Sequence, residues 1–581
     1  MKAELNSMLR RKFDLPFSED SRRAFRSFSL TEKTIFMFFT ALFIFSSVYM
    51  LVSVNNNFLV SVPVQGGEVV EGIVGSPRFV NPLLSISDAD KDLTALIYSG
   101  LLKATTEGAL IPDLAESYGV SEDGLTYTFL LKKDIRFHDG RKITTEDVEF
   151  TILKAQDPAL KSPRRANWDG VAIEKINESE IRFTLKQPYA SFAENTTIGI
   201  LPKHIWGNAN ADEFAFSEYN ILPTGSGPYK VKEVKRNSAG LPSEYVLRAN
   251  NDYALGTPFI KTFRFKFYNN ENSLLNALGR KEIESANSLN PALVKELEAR
   301  GDRVERTTLP RIFGVFFNQN EAGIFTHKEA REALDRALDK EAIIADVLSG
   351  YGSVINSPLP PDKNETKKIN LDEDRLALAR SILEKGGWKR NEKTGVYELK
   401  TKTENSVLRF TISTSDAPEL KRAASLVEET WEALGADVDV AIYDTGDLNQ
   451  SVIRPRKYQA LLFGEIVGRD LDLFPFWHSS QRNDPGLNIA LYVNNKADKI
   501  LEEARMISDP SARLAKYREF EAEVKRETPV VFLYSPDFLY LMPKKIDSVR
   551  LGQLTIPAER FLNINEWYIE TSKVWKIFIK S

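Results

Sequence analysis

Four histidines are the main candidates for acid–base or metal chemistry, because the sequence contains no cysteine. His138, His204, His327 and His478 are widely separated, and none belongs to a His-Glu-x-x-His motif. The sequence also lacks a Gly-x-Ser-x-Gly turn and a Gly-Lys dipeptide, so it predicts neither a nucleophilic serine site nor a phosphate-binding P-loop. A cluster of His and Asp side chains that only folding brings together remains an alternative that the sequence does not decide. We therefore predict a protein that is not an enzyme and that has no cofactor or metal.

An acidic and aromatic segment near residue 470 is the second candidate for chemistry. Its two carboxylates and three aromatic rings are Asp470, Asp472, Phe474, Phe476 and Trp477. The aspartates could bind a ligand, but they could also cap the loop or pair with Arg469. Glu465, in the preceding strand predicted over residues 461–466, could meet a cationic ligand if buried, or could line a solvated edge. The three aromatic side chains are more typical of the core beside the hinge than of a surface on which a ligand stacks. Trp477 is nevertheless kept as a candidate ligand-binding residue.

The elements that must position these residues alternate between strands and helices, which predicts a mixed α/β fold. Residues 126–131 alternate as a strand, and Thr144 with Asp147 predicts a capping box for the next helix. A second capping box is predicted at Thr326 and Glu329. Residues 408–442 predict a βαβ unit whose helix ends at Gly435. The GSGPY turn at 225–229 predicts entry into a strand with Tyr229 buried, which argues against a phosphate loop.

Residues 34–54 form an uncharged run of 21 residues, long enough to span about 30 Å as a helix. Eight basic residues precede the run, and none follows until Arg78. The positive-inside rule therefore predicts a cytoplasmic tail (1–33), a single-pass anchor in the cell membrane (34–54) and an external remainder, joined by a tether (55–65). A cleaved signal peptide is the alternative, although its apolar region would be about 7–15 residues and would end in a small-x-small site.

Several collinear segments resemble the family of extracellular solute-binding proteins for oligopeptides, dipeptides and nickel. They are residues 78–103 (RFVNPLLS…), 114–152 (LAESYGVSEDGLTYTF…), 225–229 and 468–488 (GRDLDLFPFWHSS…). The resemblance covers roughly residues 66–568. It implies a two-lobed periplasmic-binding-protein-like fold with an extra inserted domain. Carried over to this chain, lobe I comprises 66–100, 205–310 and 543–570, the inserted domain 101–204, and lobe II 311–542.

The resemblance also implies a role for the acidic segment. In peptide-binding relatives an acidic residue at this place pairs with the α-ammonium group of the ligand. This chain lacks the prolines of the family pattern around Asp470 and Asp472, so the register is open between them, with Asp470 favoured. A desolvated cation needs such a carboxylate, since leaving water is costly.

Family membership would make the chain the capture subunit of an ATP-driven (ABC) importer, with a separate permease and ATPase as partners. It would bind a peptide or other small solute, and we expect a monomer. The formal net charge of −4 argues against nucleic acid as a partner. The alternative is an anchored sensor or scaffold that keeps the binding fold without serving an importer. Without cysteine, the lipid-modified anchor of many family members is excluded, so the apolar run must hold the protein at the membrane.

Overall fold

The computed structural model describes residues 18–360, 374–401 and 405–578. By its internal contacts the chain forms two compact units, one from its two ends (up to Val64 and from Glu570) and one from Gln65 to Ile569. We call them the terminal unit and the binding unit. Strands and helices alternate along the binding unit, which confirms the mixed α/β class.

The terminal unit contains a short helix, Ser18–Ser27, and a long one, Leu30–Phe58. Ser29 and Glu32 form a capping box at the start of the long helix. Its segment Leu30–Asn55 is the one described segment that is long and apolar enough to cross a membrane. The chain then forms a strand, Leu59–Val64, which pairs antiparallel with Glu570–Trp575. The residues predicted as an extended tether are thus partly helical and partly in a sheet, because strand pairing with the C-terminal segment satisfies their backbone.

One large mixed sheet runs through the binding unit. Its strands follow the order Asp437–Tyr443, Arg409–Ser415, Ala460–Ile466, Arg311–Phe317, Val530–Met542, Ser285–Asn287, Gly66–Val74, Ile260–Tyr268, Pro242–Ala249 and Tyr229–Arg236. Arg303–Thr308 and Gly352–Val354 pair with Val530–Met542 beside this path. Smaller sheets contain Ala115–Val120, Thr126–Leu131, Glu180–Thr184 and Ala172–Lys175; Leu102–Ala104 and Leu110–Pro112; and Lys389–Arg390, Tyr397–Lys400 and Asn405–Val407.

The long strand Val530–Met542 connects the two halves of this sheet. Its first part pairs with Arg311–Phe317, and its second part pairs with Arg303–Thr308. Two antiparallel segments therefore cross together between the halves, at residues 308–313 and 534–537. The half that contains residues 409–466 corresponds to the predicted lobe II, and the half that contains residues 66–74 and 229–268 corresponds to lobe I. The domain boundaries given above stay predictions.

The helices of the binding unit pack against these sheets. In chain order the α-helices are Asp88–Ile97, Thr145–Gln156, Arg165–Trp168, Phe192–Asn195, Lys203–Trp206, Ala211–Phe216, Glu271–Gly279, Pro291–Ala299, Lys328–Ala337, Lys340–Val347, Arg375–Lys385, Pro418–Leu434, Thr445–Asp447, Phe474–Trp477, Asn495–Met506 and Pro510–Glu527. Both faces of the lobe II sheet are buried. Along Arg311–Phe317, Val315 and Phe317 join the core on one face, and Ile312 and Phe316 join the core on the other.

The local predictions were mostly confirmed. Thr144 and Asp147 form the expected capping box, and strands Arg409–Ser415 and Asp437–Tyr443 pair in parallel around a helix that ends at left-handed Gly435. The capping box at Thr326 was wrong. Its hydroxyl donates to the carbonyl of Gly323 in a 3-10 turn, so the following helix begins at Lys328 without that cap.

The GSGPY turn leads into the strand Tyr229–Arg236, with Tyr229 fully buried. Its glycines are required by close approach to another backbone. A Cβ on Gly225 would lie 2.0 Å from the Ile97 carbonyl oxygen, and a Cβ on Gly227 would lie 2.6 Å from the Leu96 oxygen. The role of the turn is therefore structural, because its glycines let it pack closely against the C-terminal end of the helix Asp88–Ile97.

Candidate functional site

A cavity of about 650 Å³ lies within the binding unit, with walls from both sheet halves. Lobe II supplies the loop that follows strand Ala460–Ile466. Lobe I supplies residues around the helix Asp88–Ile97 and around position 559, and residues 163–199 supply a third wall. Its charged lining side chains are Lys91, Lys103, Asp113, Arg164, Glu194, Arg469, Asp470, Asp472 and Glu559. Sites of this volume are typical of small-ligand binding.

The lobe II loop is held in one conformation by its backbone. The Val467 amide donates to the Pro310 carbonyl, which ties the loop to the crossing segment. The Leu471 amide then donates to the Gly468 carbonyl, and Leu471 adopts a left-handed φ of 55°. This turn places Arg469, Asp470 and Asp472 together on the cavity wall.

Arg469 joins lobe II to the opposite wall. Its guanidinium lies 2.8 Å from a carboxylate oxygen of Glu559 and 3.7 Å from one of Glu194, and its side chain is only 4% exposed. It also donates to the backbone carbonyls of Thr105 and Gln553. A buried cation is tolerated only with such partners. Arg469 therefore bridges the cavity walls, whereas the sequence suggested it as a partner for the neighbouring aspartates.

Glu194 has an unusual ionisation. Burial and the negative charge of Asp470 raise its pKa to about 7, against the opposing effect of the Arg469 guanidinium. A carboxyl group with this pKa is close to half protonated at neutral pH. It can therefore donate or accept a hydrogen bond at the cavity wall.

Asp470 is the predicted residue that the structure leaves most available to a ligand. It lines the cavity, and its side chain is 25% exposed. The ion pair formed by its carboxylate is loose, since the Arg513 guanidinium lies 3.7 Å away.

Asp472 also borders the cavity, but its carboxylate is engaged. It accepts two-pronged hydrogen bonds from Arg505 at 2.6–3.1 Å and one from the Phe474 amide at 3.2 Å. The Arg505 guanidinium stacks on the rings of Phe474, at 4.1 Å, and Tyr189, at 5.0 Å. Asp472 thus fixes the start of the helix Phe474–Trp477 and orients Arg505, which is a positioning role.

Glu465 and Trp477 do not line the cavity. Trp477 is 1% exposed and packs against Tyr492, Phe520 and Phe532 in the core, because the short helix turns its indole ring inward. Glu465 is buried on its strand, and its carboxylate oxygens have no hydrogen-bond partner among the residues that the structure describes. Burial raises the pKa of Glu465 well above its ordinary value. Their binding roles stay predictions that this geometry does not favour.

Sequence reasoning missed most of the opposite wall. Lys103 is half-buried and donates to the Tyr253 hydroxyl at 2.9 Å, and desolvation of its ammonium group lowers its pKa while the charge of Asp113 opposes that effect. Burial likewise lowers the pKa of Arg164, with Glu559 opposing. These residues occupy unremarkable local sequences. The feature of the sequence that could have indicated them is a charged residue within an otherwise apolar segment, as at Lys103 and Asp113.

Comparisons with known proteins agree with this architecture. Residues 109–504 match the bacterial extracellular solute-binding proteins, family 5. The chain is 30% identical over 518 residues to the oligopeptide-binding protein AppA of Bacillus subtilis, covering 87% of this chain and 92% of AppA.

Two solved structures share the fold over nearly their whole length. The structure of Bacillus subtilis AppA in complex with a nonapeptide is 28% identical, covers 88% of this chain and 100% of its own, and gives a TM-score of 0.68. NikZ of Campylobacter jejuni, in complex with Ni(L-His), is 26% identical with a TM-score of 0.68, covering 86% of this chain and 99% of its own. The two-lobed fold predicted from the sequence is thereby confirmed. The chain belongs to family 5 of the bacterial extracellular solute-binding proteins, and it is a binding protein, not an enzyme.

Proposed function

We propose that this protein captures a peptide in the cavity between its lobes and delivers it to an ABC permease driven by a separate ATPase. The family, and relatives named for oligopeptide and dipeptide binding, support this function. The volume of the cavity and its mixture of acidic and basic side chains suit a zwitterionic ligand. The single apolar span found among the described residues cannot by itself form a permease.

The main support for the proposal is the difference between the ion pairs of Asp470 and Asp472. Asp472 is engaged by Arg505, whereas Asp470 lines the cavity, and its ion pair with Arg513 is loose at 3.7 Å. We therefore assign Asp470 as the carboxylate that binds the ligand's α-ammonium group. Glu194 lies near enough for the charge of Asp470 to raise its pKa, so the pair forms an acidic corner that a cation would stabilise.

Ligand binding would be coupled to closure of the lobes. The structure already contains contacts across the cavity, through Arg469 with Glu559 and through the Ala190 amide with the Arg505 carbonyl. A ligand that touches both walls favours the closed arrangement by its extra contacts there. The crossing segments at residues 308–313 and 534–537 would act as the hinge.

Membrane anchoring by the helix Leu30–Phe58 belongs to the same proposal. The apolar segment and the basic residues that precede it support an uncleaved anchor with the binding unit outside. Mass spectrometry of the protein purified from membranes tests this. We expect the intact N-terminus, and a mature N-terminus near residue 55 would contradict the anchor without affecting the binding proposal.

Calorimetry on the purified full chain tests the assignment of Asp470. Candidate peptides come from native mass spectrometry of ligand that co-purifies with the protein. Asp470→Asn keeps the shape and removes the charge, so we expect an affinity loss of roughly 30-fold or more, corresponding to about 2–5 kcal/mol for a desolvated pair. Asp134→Asn, at an exposed position outside the cavity lining, is the matched control and should bind like the wild type.

The N-acetylated form of the same peptide separates charge recognition from general damage. Acetylation removes the α-ammonium charge, so it should weaken binding to the wild type strongly and binding to Asp470→Asn little. If both proteins bind both peptides equally well, Asp470 does not recognise the α-ammonium group. If neither free nor acetylated peptides bind the wild type, the proposed ligand class is wrong.

A further inference from the structure

The C-terminal strand returns to the end of the apolar helix. In the pair formed by Leu59–Val64 and Glu570–Trp575, Leu59 lies opposite Trp575 and Val64 lies opposite Glu570. The Trp575 indole donates a hydrogen bond of 2.8 Å to the Asn55 side chain, at the last residue of the apolar segment. Its ring also stacks on Phe58, with a centroid distance of 6.4 Å. The strand thus ends where the helix would leave a membrane.

The side chains at this end are apolar, aromatic and exposed. Phe58 is 55% exposed, Trp575 44% and Ile577 75%. Two exposed lysines, Lys573 and Lys576, accompany them. A two-stranded sheet is at best marginally stable alone in water, and exposed rings this large need a reason.

A membrane surface supplies that reason. Tryptophan and phenylalanine are suited to the boundary between headgroups and acyl chains, where an indole can bury its ring and keep its N–H paired. Lysines at that depth reach phosphate groups with their ammonium ends. The position of the patch at the end of the apolar segment argues for lipid over other occupants, since a helix that spans the membrane brings Phe58 and Trp575 to this boundary.

We propose that Phe58, Trp575 and Ile577 form a membrane-interface patch, so that the C-terminal segment makes a second contact with the bilayer. The chain enters the binding unit after Val64 and leaves it before Glu570, so both connections would continue from a strand pair whose opposite end, at Leu59 and Trp575, lies at the lipid surface. Two connections restrict rotation of the binding unit more than one flexible tether does. This inference rests on the proposed membrane anchor.

Lipid-borne quenching of site-specific fluorophores tests the patch in the full chain. Because the chain lacks cysteine, single cysteines can be introduced and labelled with nitrobenzoxadiazole without removing others. We choose Ile577→Cys in the patch, Thr571→Cys near the far end of strand Glu570–Trp575, and Leu42→Cys within the apolar helix. The protein is reconstituted in phosphatidylcholine nanodiscs with one copy per disc, with and without doxyl-labelled lipid.

The proposal predicts that shallow doxyl groups reduce fluorescence at position 577 about twofold or more, while position 571, roughly 20 Å along the chain, changes little. Position 42 should be quenched by deep doxyl groups. Quenching at 42 without quenching at 577 overturns the interface patch and leaves the anchor intact. Absence of quenching at 42 overturns the anchor, and the patch with it. Quenching of equal strength at 571 and 577 also overturns the patch, because it would indicate nonspecific contact.

A second copy of the chain is the competing occupant. It would protect position 577 from lipid in discs that hold two copies, and dipolar broadening between spin labels at 577 would reveal the contact. That outcome contradicts the lipid proposal, whereas unbroadened spectra with continued lipid quenching support it.

Discussion

Protonation of Glu194 should control how readily the empty cleft closes. We take this structure, whose cavity walls are joined by the Arg469–Glu559 pair, as the closed arrangement. Here burial and the charge of Asp470 raise the Glu194 pKa from 4.5 to about 7, against the opposing charge of Arg469. We expect an open cleft to return this carboxyl to water and to its ordinary pKa. Between pH 4.5 and 7 the closed form therefore binds the proton more tightly, and closure loses stability as the pH rises through this window.

The magnitude follows from the pKa difference. Raising a pKa from 4.5 to about 7 corresponds to roughly 3 kcal/mol, or a few hundredfold in the closed-to-open ratio. The closed form is destabilised by this full amount above the Glu194 pKa of the closed state, and it is not destabilised below the Glu194 pKa of the open state. Glu194→Gln cannot titrate, so its closure should be nearly independent of pH over the same range.

Distances between two spin labels measure this equilibrium. Exposed Ser238, beyond strand Tyr229–Arg236, and exposed Lys499, in helix Asn495–Met506, can be replaced by cysteine in this cysteine-free chain. The ligand-free wild type should shift toward longer distances between pH 5 and pH 8, and Glu194→Gln should not. A wild-type distribution that does not change with pH, or an equal change in Glu194→Gln, would refute the reasoning.

Two further predictions concern the support of the site. Asp472→Asn should lower the free energy of unfolding by about 1–3 kcal/mol, because it breaks the two-pronged pair with Arg505, and urea unfolding measures this loss; unchanged stability would contradict the positioning role. Gly225→Ala should destabilise by more than about 2 kcal/mol, since its Cβ would collide with the Ile97 carbonyl, while Gly279→Ala, with open space around its Cβ, should be neutral. Equal melting temperatures for the two glycine variants would contradict the close packing.

The sequence predicted those parts of the fold whose determinants are local. The strand, helix and strand over residues 409–443 follow from apolar periodicity and a terminating glycine, and the helix Leu30–Phe58 follows from an uncharged run. The wrong cap at Thr326 shows the limit of such rules, because the same hydroxyl can bond a preceding carbonyl instead. Likewise, nothing in residues 55–65 indicated their pairing with the C-terminal strand, which depends on a partner far along the chain.

The cavity was only partly predictable for the same reason. Resemblance led to the loop that holds Asp470 and Asp472, but their different states depend on Arg505 and Arg513, which lie on later helices. The role of Arg469 depends on Glu559, which a local pattern cannot bring into view. Charged groups that meet only after folding leave no periodic signal in the sequence.

The most direct test of the account is a crystal structure of the full chain with a bound peptide. We predict that the ligand's α-ammonium nitrogen lies about 2.8 Å from a carboxylate oxygen of Asp470, the distance typical of a charge-assisted hydrogen bond, while Asp472 keeps its pair with Arg505. An α-ammonium group bound to Asp472 in place of Arg505, or a peptide whose amino terminus lies away from both aspartates, would contradict the central claim.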